Sequence, residues 1–119
     1  MMLVSGLLVL AYLIYHLLHF TFRTTHPAIS HSVDALGRHD IYAMVVRSFQ
    51  QPALALAYNA GMACVCLHVS HGVASAFQTL GLATERTLPA LGWASRTFAL
   101  VVFLGYSAIP VAVLSGVIR

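Results

Sequence analysis

Three stretches of the chain, 1–22, 48–84 and 97–118, contain no Asp, Glu, Lys or Arg. Each is longer than the roughly 20 residues a helix needs to cross the hydrocarbon core of a bilayer. In lipid, every backbone N–H and C=O must be paired within the chain, which isolated strands cannot do. The expected fold class is therefore all-α: an integral membrane helical bundle with three transmembrane helices at about 3–22, 53–80 and 92–117. The whole chain, 1–119, reads as a single transmembrane domain embedded in the lipid bilayer. Composition agrees, with 60% hydrophobic and 8% charged residues. That is too little polar surface to clothe a soluble domain of this size.

The net charge of +3 comes from arginine, with no lysine. Arg23, Arg38, Arg47, Arg86, Arg96 and Arg119 stand at segment ends or in loops. This is the pattern of membrane-border anchors and not of a nucleic-acid patch. Cys64 and Cys66, two apart on one helix, point to different faces and cannot readily pair. There is no C-x-x-C-H, so covalent c-type haem is not indicated. Met1 and Met2 lead directly into apolar sequence without a basic n-region, so a signal peptide is not expected. A start inside the first turn of a spanning helix suggests a missing upstream part.

The loop 24–40 is polar and holds Pro27, Asp34, Gly37 and three histidines, His26, His31 and His39. Asp40 is placed to cap a short amphipathic helix, IYAMVVRSF, at 41–49, lying at the membrane interface. Pro52 suits the first turn of the second span, and Gly81 suits its C-terminal cap. A short loop with Glu85, Arg86 and Pro89 follows. Pro110 is expected to bend the third span.

Helical spacing gathers the polar residues of the spans into stripes. Gly61, Cys64, His68, His71, Ser75 and Gln78 share one face of the second span. Ser5, Tyr12, His16, His19 and Arg23 do the same on the first. The third span has no histidine, and its Gly105, Ser107, Ser115 and Gly116 suit close helix packing. A lone buried histidine is explained by hydrogen bonding between helices. Two His-x-x-His pairs on two spans point instead to function. Imidazole suits iron, zinc or copper. With Asp34, Asp40 and Glu85 all in loops, bound haem fits better than a proton pump.

Depth separates the two pairs. At 1.5 Å per residue, His16 lies about 9 Å from the end of the first helix, whereas His68 lies about 24 Å along the second from the same side. One iron cannot take both as opposite ligands. Two sites are expected, each completed by a ligand from another chain or from a missing part of this one.

The runs SGLLVLAYLIYHLLHFTFRT, QQPALALAYNAG and LHVSHGVASAFQTLG resemble the succinate dehydrogenase/fumarate reductase cytochrome b subunit of the five-helix, two-haem type. The resemblance covers nearly the whole chain and falls in that family's C-terminal half, its third to fifth helices. The H-x-x-H-G-x-x-S-A-F-Q-T-L-G run is its specific part. The Ser-Gly followed ten residues later by His is weaker.

The resemblance implies haem b, two per complete cytochrome b, with His16 and His68 as axial ligands and hence the metal-binding residues. It places His19, His71, Ser75 and Gln78 near the cofactor. Some relatives carry Asn where His71 stands, which ranks it below His68. Arg23 is either a haem-propionate partner or a snorkelling anchor. The implied partners are flavoprotein and iron–sulfur subunits and a quinone, menaquinone by the resemblance, in the inner (cytoplasmic) membrane. The chain would be a non-catalytic electron-transfer subunit. The family's first two helices, with the other two axial ligands, have no counterpart here, so a truncated or split gene product is expected.

Family topology puts the 24–40 loop outside, with His16 serving the distal haem and His68 the proximal one. The arginine distribution taken alone favours the opposite orientation. The family orientation is preferred, because upstream loops contribute to it. A non-redox reading, a metal carrier or packing scaffold using the same histidines and the loop histidines, is the alternative.

Overall fold

The computed structural model describes all 119 residues and is all-helical. Helix α1 spans Met2–His16 and continues as a π-helical stretch, Leu17–Thr21. A single turn, α2 (Pro27–Ser30), interrupts the loop. Helix α3 covers Ile41–Phe49, α4 Pro52–Thr79 and α5 Leu88–Leu114. Three helical segments, Met2–Thr21, Pro52–Thr79 and Leu88–Leu114, are long and apolar enough to cross a membrane. The chain is a multi-pass membrane protein.

Local chemistry sets the element ends. The Asp40 carboxylate accepts the Ala43 backbone N–H at 2.9 Å and starts α3, as a side-chain N-cap should. Helix α3 turns Met44, Val46, Ser48 and Phe49 inward and leaves Arg47 exposed, which is the expected amphipathic split. Pro52 begins α4, and Gly81 ends it in the left-handed region, with Leu82 N–H on the Phe77 carbonyl.

Helix α5 departs from expectation at both ends. It starts at Leu88 and not near Gly92, because Pro89 sits in the first turn, where its missing N–H costs nothing. It stops at Leu114, before 117, because Gly116 adopts φ +79° and Val117 N–H closes on the Ala112 carbonyl. Gly116 is thus a helix stop and not a packing residue.

Helices α4 and α5 pack along most of their length, while α1 leans on α4. The α1–α4 pair is antiparallel, with Ser5 beside His68, Tyr12 over Gly61 and His19 beside Tyr58. A β-carbon at Gly61 would fall inside the Tyr12 ring, so the close approach of the two helices requires glycine there. The tightest core, Val46, Phe49, Ala55, Tyr58 and Val113, lies at one end of the bundle. Tyr12, Tyr15 and Phe20 of the first span pack against it.

Candidate functional site

The helix crossing leaves a wedge between α1, α4 and α5. The wedge is a cavity of about 760 Å³, walled by side chains such as Val9, Leu13, Met62 and Ile109. Helix α3 contributes Met44, Val45 and Phe49 to it, and Arg23, His39 and Asp40 supply polar groups. Its size lies within the roughly 300–1,000 Å³ of small-molecule and cofactor sites.

His16 lines this cavity. Its Nδ1 is buried and has no hydrogen-bond partner. The ring stands among Tyr12, Phe20 and Tyr58, with centroids 6.2, 5.6 and 5.9 Å away. The Asn59 carboxamide oxygen, on the same cavity wall, is also buried and unpartnered. Buried polar atoms without partners are uncommon and costly, so two of them at one apolar cavity mark it as a place for a ligand.

His19, three residues on, is used differently. It is fully buried, its Nδ1 2.8 Å from the Tyr58 hydroxyl and its Nε2 3.1 Å from the Ser48 hydroxyl. Its ring stacks on Phe20 with centroids 4.2 Å apart. Both ring nitrogens are engaged, so His19 ties the end of the first span to α3 and α4. The π-helical stretch carries this separation of roles. Phe22 N–H reaches the Leu17 carbonyl, five residues back, and the wider turn rotates His19 further from His16 than an α-helical step would.

Arg23 follows in the left-handed region at φ 57°, uncommon for a residue with a side chain. That conformation ends the span. The guanidinium Nη1 donates to His39 Nδ1 at 2.6 Å, where both residues line the cavity.

His68 lies at a second level, outside the cavity. Its Nδ1 is 2.9 Å from Ser5 Oγ. His16 lies eleven residues beyond Ser5 along the same helix, which at 1.5 Å per residue separates the two imidazole levels by about 16 Å. The structure therefore keeps His16 and His68 at different depths.

His71, Ser75 and Gln78 are exposed on α4. The first span begins level with Gly72, which faces Met2, so Ser75 and Gln78 lie past its end. The stripe expected to turn away from lipid is thus only partly covered by these helices: Gly61 and His68 meet α1, Cys64 is half-buried, and His71, Ser75 and Gln78 face outward.

The loop histidines do not converge. His26 meets Tyr15 at 3.3 Å, His31 meets the Pro27 carbonyl at 2.9 Å and His39 meets Arg23. No three His, Cys, Asp or Glu side chains come together as a metal-ligand group. Comparison with protein-family models, curated proteins and solved structures finds no match to this chain.

Proposed function

We propose that the chain is a haem b-binding membrane anchor, a cytochrome b subunit of the succinate dehydrogenase/fumarate reductase type, with His16 and His68 as axial ligands at two depths. The observation that carries the reading is the His16 imidazole, neither of whose nitrogens is hydrogen-bonded within the chain, in the wall of a cofactor-sized, mainly apolar cavity. At the His16 level the residues present fit the group. His16 offers an imidazole, its aromatic neighbours exclude water, and the Arg23 guanidinium offers a charge-assisted partner for a propionate. Bound haem would supply one-electron chemistry between an iron–sulfur subunit and a quinone in the cytoplasmic membrane.

The chain's own part is structural and electrostatic. His16 and His68 would hold the metal, and the low-polarity walls around His16 would set the surroundings that tune it. Each level here offers one axial histidine, so the second imidazole at each level would come from a further helix. The exposed face of α4 bearing His71, Ser75 and Gln78 is where such a helix has polar residues to meet, since exposed polar groups within a span need partners.

The test is co-expression with flavoprotein and iron–sulfur subunits of a succinate dehydrogenase and with a membrane segment carrying that family's first two helices, followed by affinity purification through this chain. Retention of both subunits and a b-type Soret band are expected. Purification of the chain without either, from membranes where it is folded, would overturn the assignment.

A further inference from the structure

Ser5 Oγ makes two hydrogen bonds, one to the Met2 carbonyl at 3.1 Å and one to His68 Nδ1 at 2.9 Å. A carbonyl oxygen only accepts, so the hydroxyl proton is committed to Met2. The serine oxygen then faces His68 as an acceptor, and His68 Nδ1 must carry the proton that it donates. In a neutral imidazole this leaves the lone pair on Nε2. No group of the chain engages that nitrogen.

We infer that Ser5 is a positioning residue that holds His68 in its Nδ1–H tautomer and presents Nε2 as the free metal-ligating nitrogen. Ring-bound metal ligands are commonly fixed in this way, by an acceptor on the opposite ring nitrogen. Gly6, next in sequence, leaves room for the ring, since even a β-carbon there would stand 3.5 Å from His68 Cε1. His19 supplies the contrast: both of its nitrogens are occupied, and it presents no free lone pair. The metal half of the inference rests on the haem reading, whereas the tautomer half does not.

Histidine-¹⁵N-labelled chain in lipid nanodiscs reports each imidazole tautomer through its nitrogen shifts, without haem. The wild type should show His68 as Nδ1–H. Ser5→Ala should shift it toward the Nε2–H form, and Ser5→Thr should restore it, with the His19 signals unmoved in all three as the control for folding. In the assembled complex, Ser5→Ala should raise the midpoint potential of the His68-linked b-type component, because the imidazole loses the acceptor that makes it a stronger donor, and leave the other component in place. An unchanged tautomer in Ser5→Ala would overturn the inference. A wild-type complex with no b-type component would defeat the haem reading, while the tautomer measurement would still decide the role of Ser5.

Discussion

The His19 imidazole and the Tyr58 hydroxyl, 39 positions apart in the chain, meet at 2.8 Å with both residues buried. Ser48 completes the node from α3. A polar group buried without its partner costs about 1–3 kcal/mol. His19→Ala strands both hydroxyls and opens a void, so a loss of about 3–5 kcal/mol is expected. Thermal unfolding in detergent or nanodiscs should show it as a lowered transition. Ser48→Ala alone should lose about 1–2 kcal/mol by the same reasoning.

The Tyr12–Gly61 contact predicts an overpacking effect. Gly61→Ala places a methyl in the Tyr12 ring, with an expected cost of about 1–3 kcal/mol. Tyr12→Ala should largely cancel it. A double-mutant cycle with near-additive losses would show that the two helices do not touch there.

Much of this fold is legible in the sequence because its signals are local. The three charge-free stretches locate the spans. Asp40 three residues before Ala43, followed by an amphipathic stripe, locates α3. Pro89 misleads because proline marks both loops and first helical turns, and only the packing of Leu88 onward decides between them. The site is less legible. His16 and His68 stand out as imidazoles in lipid, but spacing cannot say that His19 is engaged at both nitrogens. Its partners, Ser48 and Tyr58, are ordinary residues far away in the chain. Asn59 lies outside both polar stripes yet carries its own signal, since an amide inside a span needs a partner or a ligand.

Asp40→Ala removes the α3 cap and should cost about 0.5–2 kcal/mol, with Asp40→Ser or Asp40→Asn recovering most of it. Because α3 also walls the cavity, the same variant should weaken retention of whatever the cavity holds. Amide exchange of Ala43, faster in Asp40→Ala and near wild type in Asp40→Asn, checks the cap directly.

Asp34 gives the loop a pH dependence of known sign. Its carboxylate accepts the Arg38 and Leu36 backbone N–H groups at 3.0 and 2.9 Å and pairs with the Arg38 guanidinium at 2.9 Å. The Arg38 backbone N–H, foremost, holds its carboxyl below the usual aspartate range. A depressed carboxyl stabilises the loop above its unfolded value, and that contribution is lost as pH falls through the folded one. The Leu36 and Arg38 amide resonances should titrate together with a midpoint below that of an unperturbed aspartate. Asp34→Asn should abolish the titration, because no carboxyl remains.

The central claim is that His16 and His68 serve two separate haems, one at each level of the bundle. A redox titration of membranes carrying the assembled complex, followed by reduced-minus-oxidised absorbance, tests it most directly. Two b-type components are predicted, one abolished by His16→Ala and the other by His68→Ala, each variant leaving its counterpart. Absence of b-type absorbance in the assembled complex, or a single component lost equally in either variant, would contradict it.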